Sequence, residues 1–446
     1  MCKHDLPIEL PQHLVQAAQN SRLVIFAGAG VSTERNSVFP SSFMDDVRRD
    51  LQGATDSLPF PDLMSLFCER PDGRSKLLLK IRGRINYVRS HPELYWTATG
   101  FHRELSTIWQ IQEIITTNWD DFFEQECGAT PFITDKDLAF WSQPGRRVLK
   151  LHGSIHSLGD IVVTRDDYER CYQQLSTGVL GSRLKTLLSD RTVVFVGYSL
   201  NDPDLKRILE SLDLEMGQLR PTYYIVTPES VADTNALLPN LRHLRTDGAF
   251  FLKTLKTALL KSEHNLPDDR FERLPRLRRR LGSAHNALFR QRPQAKYPET
   301  IYCASYQDGL MHALDRAQSR ARTGEYSHRC ALVEKFRQYE EIRKARLRKR
   351  NYWDVAYTEG YMNGLMLLIA DEDLTKAIPI YYVFGARDEP VTFTAYCRLA
   401  ARAAKLHRAS FEQARRLVKR HGDLTVHHTP FLDTSVSDDE QGVHKH

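Results

Sequence analysis

Gly28, Ala29, Gly30 and Ser32 follow directly on the apolar run Leu23–Ala27. Glycines at a strand-to-helix turn let backbone N–H groups approach a diphosphate, and the start of the following helix adds positive potential. A tight turn that binds nothing could use the same residues. The generic dinucleotide fingerprint has a third glycine where Thr33 stands here, and no acidic residue clearly closes a second strand at the usual distance. No G-x-x-x-x-G-K-[ST] loop is present, which excludes a P-loop nucleoside triphosphatase.

Three further segments place polar groups where an apolar run stops. Thr116-Thr117-Asn118-Trp119-Asp120 closes one run, and its Asn and Asp can hold ribose hydroxyls or orient a water. Asp120 alone would equally serve as a plain cap for the next helix. Lys150-Leu151-His152-Gly153-Ser154 closes another, with Gly153 allowing a turn and His152 placed as a candidate base. The last is Val196-Gly197-Tyr198-Ser199, running on through Asn201, Asp202 and Asp204.

The elements that would carry these groups alternate. Leu23–Ala27, Glu113–Thr117, Val148–His152, Ile161–Thr164, Thr192–Gly197 and Thr222–Thr227 are candidate strands. Several are apolar on successive residues, the pattern of parallel strands buried on both faces. Helical patterns such as Phe43–Gln52 and Ser182–Ser189 lie between them. The alternation predicts an α/β fold with a Rossmann-like, doubly wound parallel sheet. Residues 43–110 exceed a simple crossover and predict a helical insertion beside the sheet.

Residues 15–265 form the expected amino-terminal domain, and residues 295–425 a mainly helical second one. Between them, Leu266–Gln294 is rich in Pro and Arg and reads as a linker or a basic helix. Leu310, Met311, Leu314 and Ala317 share one helical face, as do Leu332, Phe336 and Tyr339. Phe411–His421 followed by Gly422 reads as a helix with its stop, and Ile378–Phe384 as a lone strand. Residues 426–446 are expected to be a disordered tail.

At 446 residues the chain is too long for one ordinary core. Hydrophobic residues at 41% and charged residues at 26% fit a globular protein. No apolar run nears the roughly 18–20 residues that span a bilayer, and the start has no secretory pattern, so a cytoplasmic location is expected. The seven cysteines never form a C-x-x-C pair, which argues against a disulfide framework and against a Cys-ligated zinc site. A net charge of +6 is modest, but RLPRLRRR (273–280) and EIRKARLRKR (341–350) concentrate positive charge late in the chain. Either run alone is ordinarily a solvated helix face; the pair leaves nucleic acid or an acidic protein surface open as a partner.

In this order the four polar segments resemble the sirtuin superfamily, whose pattern is a G-A-G-[IV]-S loop, a T-x-N-x-D strand end, a [KL]-x-H-G segment and a G-[TY]-S-L turn. The match covers roughly residues 20–230, about half the chain. The resemblance implies NAD as the bound molecule. It assigns Gly28, Ala29, Gly30 and Ser32 to the diphosphate, Thr117, Asn118 and Asp120 to the nicotinamide ribose, and Gly197 and Ser199 to the adenosine side. His152 would be the general base, and Asn118, Asp120 and His152 together the catalytic set. Pro40 and Phe43 are what remains of the family's next loop, G-I-P-D-F-R, whose acidic and arginine positions are missing here.

Protein-deacylating sirtuins carry a zinc module with two C-x-x-C pairs after the histidine. Here that stretch holds only Cys171, so no such module and no zinc are expected. The T-T-N-W-D, T-R-D-D-Y and G-Y-S-L-N-D-P-D segments resemble instead the zinc-less sirtuin-like NADase effectors of bacterial antiphage defence. The resemblance implies an NAD glycohydrolase that consumes NAD as substrate, giving nicotinamide and ADP-ribose. An NAD-dependent deacylase or ADP-ribosyltransferase is the alternative, and a non-catalytic NAD or ADP-ribose sensor a second. It further implies a homo-oligomer silent until activated by a partner such as a HerA-type ATPase, a short argonaute or another sensor, with no membrane involved.

Overall fold

The computed structural model describes residues 6–35, 37–52, 57–198, 203–219, 221–229, 240–260, 265–266, 269–320, 325–370, 379–387, 390–422 and 424–431. The chain divides into two compact units, one of residues 1–265 with 322–327, the other of residues 266–321 with 328–446.

The first unit is built on seven strands: β1 Leu23–Ala27, β2 Glu113–Thr116, β3 Thr130–Phe132, β4 Arg147–Lys150, β5 Thr192–Val196, β6 Tyr223–Val226 and β7 Leu241–Leu244. They lie in the order β3-β4-β2-β1-β5-β6-β7, every pair parallel. Burial on both faces explains the unbroken apolar runs. Ile25, Ile114, Val148, Val194 and Tyr224 face one layer, where Phe101, Leu105, Phe251 and Leu255 cover them. Val24, Phe26, Ile115, Leu149, Val193 and Phe195 face the other, beneath Cys171, Leu184, Ile208 and Leu212. Each such side chain taken out of water contributes about 1.5–3 kcal/mol.

Two strands escape the sequence pattern. β3 is three residues long and contains Pro131, and β7 has exposed Arg242 at the opposite edge of the sheet. Ile161–Thr164 is a correction in the other direction. It is extended backbone but no strand, and Ile161 and Val163 instead bury themselves in the core of the helical insertion. Thr164 then caps the helix Arg165–Thr177 in a reciprocal box with Asp167.

Among the described residues the insertion has five helices: Phe43–Leu51, Phe60–Cys68, Gly73–Ser90, Pro92–Ala98 and Gly100–Ser106. Ser42 and Asp45 box the first of them. Arg146, just before β4, is fully buried and donates to the carbonyls of Ile111 (2.8 Å), Ile108 (2.8 Å) and Cys127 (3.1 Å). One side chain thereby fixes the connection from the insertion into β2 and the end of the helix Phe122–Cys127.

The second unit is helical among the described residues. The stretch read as a linker or basic helix is the helix Leu274–Gln291, with Leu277, Leu281 and Leu288 buried. Helices Thr300–Arg320 and Tyr352–Ile369 cross closely because glycines face backbone. A Cβ on Gly309 would lie 2.1 Å from the Tyr357 carbonyl, and one on Gly360 would lie 1.9 Å from that of Tyr306. Helices Arg329–Arg348 and Arg408–His421 complete the long elements, the latter stopped at Gly422 with φ +62°.

Residues 379–384, expected as a lone strand, form none; position 378 lies outside the described residues. The carbonyls of Pro379 and Ile380 are satisfied by the Tyr306 hydroxyl and the Gln307 amide rather than by a ladder. The described start of the expected tail is ordered as well. Val426 and His428 are buried, and Gln294, Asp308 and Asp354 bond this segment. Among the described residues no helix is long and apolar enough to cross a membrane.

Candidate functional site

Strand order reverses at β1, with β2 on one side and β5 on the other, and ligands of open α/β sheets bind at such a switch point. Ala27, Thr116, Lys150 and Val196 are register partners across β1, β2, β4 and β5, so the four polar segments leave the sheet at one level. They enclose a cavity of about 650 Å³. Ala29, Gly30, Thr117, Asn118, Asp120, His152 and Gly197 line it from the sheet side, and Phe43, Met44, Phe60, Ile81 and Arg84 from the insertion.

The glycine loop is shaped by its neighbour. A Cβ on Gly28 would fall 2.4 Å from the Gly197 carbonyl oxygen, and one on Gly30 would fall 3.0 Å from the Gly197 Cα. Gly197 itself has φ +60°. Gly28 and Gly30 donate their N–H groups to the carbonyls of Val196 and Gly197, both at 3.0 Å. Val31, Ser32 and Glu34 donate within the loop. Among the described residues this leaves the N–H groups of Ala29 and Thr33, both on the cavity wall, to receive an anion.

Asn118 ties the loop to β2. Its Nδ2 donates to the Gly28 carbonyl (3.1 Å) and to Ser32 Oγ (3.3 Å). Its Oδ1 is buried with no hydrogen-bond partner among the described residues, an acceptor in the cavity wall ready for a hydroxyl or a water. Asp120 is 3% exposed and both its oxygens are committed. Oδ2 accepts from Ser32 Oγ at 2.9 Å, and Oδ1 accepts from the N–H of Phe122, the first residue of the helix Phe122–Cys127, at 3.2 Å. Burial raises its pKa, against the pull of Lys150. The Lys150 ammonium is fully buried, bonded to the Asp120 carbonyl and, at 3.0 Å, to Glu124.

His152 is 4% exposed, with its ring edge-on to Tyr168 at 5.0 Å. Its carbonyl receives the Val162 N–H, and Gly153 turns the chain with φ +81° where a Cβ would strike the Asp160 carbonyl at 2.3 Å. This explains why an apolar stretch follows the histidine without joining the sheet.

Not every expected residue reaches the cavity. Gly28 and Ser32 stand behind the loop as its support, and Pro40 is exposed and away from the lining. Ser199 lies outside the described residues, as do Asn201 and Asp202. The structure adds Glu34, Arg84, Trp119, Tyr168 and Tyr198. Arg84 pairs with Glu34 (3.3 Å) and Asp46 (2.7 Å) and lies over the Phe39 ring at 3.8 Å. Burial raises the Glu34 pKa, with Arg84 opposing. Trp119, Tyr168 and Tyr198 stand inside the motif segments and Glu34 directly follows the glycine loop; Arg84 carried no sequence signal. The cavity thus joins an aromatic and aliphatic wall to convergent amide, carboxylate, imidazole and loop N–H groups, which suits a ligand with an aromatic end, a polyhydroxyl middle and a negative charge.

Residues 112–246 match the family model described as SIR2-like domain. The chain is 28% identical over 225 residues to an NAD(+) hydrolase ThsA of Cytobacillus dafuensis, covering 48% of this chain and 43% of that protein. It is 28% identical to the Enterococcus faecium ThsA over 47% of this chain and 44% of that one. It is 21% identical to defense-associated sirtuin 2 of Bacillus subtilis over 52% of this chain and 23% of that one. The chain therefore spans less than half the length of these relatives. A solved Sir2 enzyme structure overlaps 57% of the chain at 11% identity with a TM-score of 0.25, and the fold assignment rests on strand order instead. Residues 112–246 thus resemble a SIR2-like domain, and about half of the chain is similar to proteins named NAD(+) hydrolases in bacteria.

Proposed function

We propose that the amino-terminal unit is an NAD glycohydrolase, cleaving NAD to nicotinamide and ADP-ribose. The observation that carries the reading is the convergence of Asn118, His152 and the Ala29–Gly30 turn on one cavity at the switch point of the sheet. The similarity to proteins named NAD(+) hydrolases supports it. The ribose would lie against Asn118 Oδ1, the diphosphate against the N–H groups of Ala29 and Thr33, and a water near His152. Cleavage asks the protein to hold the glycosidic bond, stabilise an oxocarbenium-like ribose and place that water. Asp120 holds the Ser32–Asn118 frame, so its part is positioning. Deacylation has less support, because the segment following His152 contains only Cys171.

The wider reading is a cytoplasmic effector of antiphage defence that acts by depleting NAD. It assembles as a homo-oligomer and is switched on by a protein partner, with the basic helices of the second unit open to nucleic acid. Wild-type protein, with and without infected-cell extract, is mixed with NAD and nicotinamide is measured by chromatography. Release that is lost in Asn118→Ala and His152→Ala, both retaining their circular dichroism, is the expected result. NAD left intact under both conditions would overturn the reading, and consumption only in the presence of an acyl-lysine peptide would transfer it to deacylation.

A further inference from the structure

In the second unit three ligating atoms converge from separate parts of the chain. His285 Nε2 comes from the helix Leu274–Gln291, Asp308 Oδ1 from the helix Thr300–Arg320, and His427 Nδ1 from the segment 424–431. They stand 3.3 Å (His285 to His427), 3.6 Å (His285 to Asp308) and 3.6 Å (His427 to Asp308) apart. A triangle of about 3.5 Å edge has its corners about 2.0 Å from its centre, which matches the zinc–imidazole and zinc–carboxylate bond lengths of about 2.0–2.2 Å. We propose that His285, Asp308 and His427 bind one divalent transition-metal ion of the zinc class.

The surrounding hydrogen bonds set the donors as a metal would need them. The Ile380 carbonyl can only accept, so it takes the Gln307 amide N–H (2.9 Å) and fixes which end of that amide is oxygen. Gln307 Oε1 then faces His285 Nδ1 at 2.9 Å, so Nδ1 carries the proton and Nε2 presents its lone pair. That lone pair and the Asp308 oxygen are two acceptors turned toward His427 Nδ1, a place filled either by a proton on that nitrogen or by one cation among the three atoms. Asp308 is held by its other oxygen, which accepts the His428 N–H at 2.8 Å. Such outer bonds are what orients ligands in metal sites.

The ring of Phe289 closes one side, 4.7 Å from His285 and 5.1 Å from His427. The His427 side chain is half-exposed, so a fourth position faces solvent. Arg278, whose charge acts on His285, is paired with Asp315 at 2.8 Å. With two imidazoles, one carboxylate and no thiolate, the set suits Zn²⁺, Co²⁺, Ni²⁺ or Fe²⁺ over Ca²⁺ or Mg²⁺. Bound there, the ion would pin the segment 424–431 to two helices. The site shares no residue with the cavity of the first unit, so it stands or falls separately from the proposed hydrolase.

The test uses the full chain stripped with chelator and dialysed. Zn²⁺ is titrated by calorimetry, and Co²⁺ by its visible ligand-field bands. One equivalent is expected, with affinity lower by at least about tenfold in His427→Ala and in Asp308→Asn, and by about tenfold in Gln307→Met. His427→Ala alters a half-exposed side chain, so its fold is checked by circular dichroism and its loss of binding is interpretable. Any binding by other histidines is common to wild type and variant and cancels. Equal stoichiometry and affinity in wild type and His427→Ala, or no equivalent bound by wild type, would sink the proposal.

Discussion

Replacing Asp120 by alanine separates a framing carboxylate from one that acts on the ligand. Both its oxygens are used inside the protein, one by the Ser32 hydroxyl at 2.9 Å and one by the Phe122 N–H at 3.2 Å. Each buried donor left without a partner costs about 1–3 kcal/mol. Ser32 has a fallback, because its hydroxyl can turn to the Ala29 carbonyl at 3.5 Å while Asn118 still donates to it. The Phe122 N–H has none among the described residues. Against these losses stands the relief of a buried carboxylate whose pKa is already raised by desolvation. Lys150 keeps Glu124 and the Asp120 backbone carbonyl, so it is not stranded. The balance is a loss of about 2 kcal/mol, read as a lower urea midpoint at unchanged slope. Tryptophan fluorescence reports mainly on this unit, since Trp96, Trp109, Trp119 and Trp141 lie in it and Trp353 in the other. Asp120→Asn, which keeps one acceptor and can donate to Ser32 Oγ, should recover most of the stability and part of any NAD turnover. If Asp120→Ala leaves the midpoint unmoved while turnover vanishes, the framing role is wrong and the carboxylate works on the substrate.

Two further outcomes test the scaffold. His102 is buried among Phe101, Phe122 and Phe123, and burial lowers its pKa from 6.5 to about 3. The unfolded chain therefore binds a proton that the folded one refuses, so this stability is intact above pH 6.5 and drains as pH falls toward 3. At pH 5 the loss is about 2 kcal/mol, and His102→Phe should flatten the acid limb of a denaturation-against-pH curve. An unchanged limb would show that His102 is not its source. Arg146→Met leaves the carbonyls of Ile111 and Cys127 without the Arg146 donor, while that of Ile108 keeps the Ile111 N–H, and should cost about 3 kcal/mol, seen as a lower melting temperature of the full chain. A variant as stable as wild type would mean the backbone there needs no such clasp.

The sheet was legible because burial on both faces leaves a mark that needs no knowledge of partners: Leu23–Ala27 and Thr192–Val196 are apolar throughout. Ile161–Thr164 carries the same mark for another reason, since Ile161 and Val163 enter the core of the insertion while Val162 joins the layer against the sheet. Apolar runs report burial, and only the hydrogen-bonding partner decides between strand and extended loop. β3 and β7 show the converse, for short edge strands need few apolar residues and give little signal. The second unit was legible as helix but not as packing. Gly309 and Gly360 become informative only when each is seen against a carbonyl of the other helix.

The candidate site divides along the same line. Asn118, His152 and the Ala29–Gly30 turn were found because strand ends in register must meet at one edge of a parallel sheet. Arg84 was not, because its helix Gly73–Ser90 reaches the cavity by tertiary packing alone. The glycines change meaning most. Taken from sequence, Gly28 and Gly30 make room for a diphosphate; in the structure the space a side chain would occupy at each is filled by Gly197. The three glycines require one another, and the ligand is left the N–H groups that this mutual packing does not consume. A glycine loop of this kind is therefore first a solution to the approach of β1 and β5, and its capacity to bind an anion follows from how that approach is made.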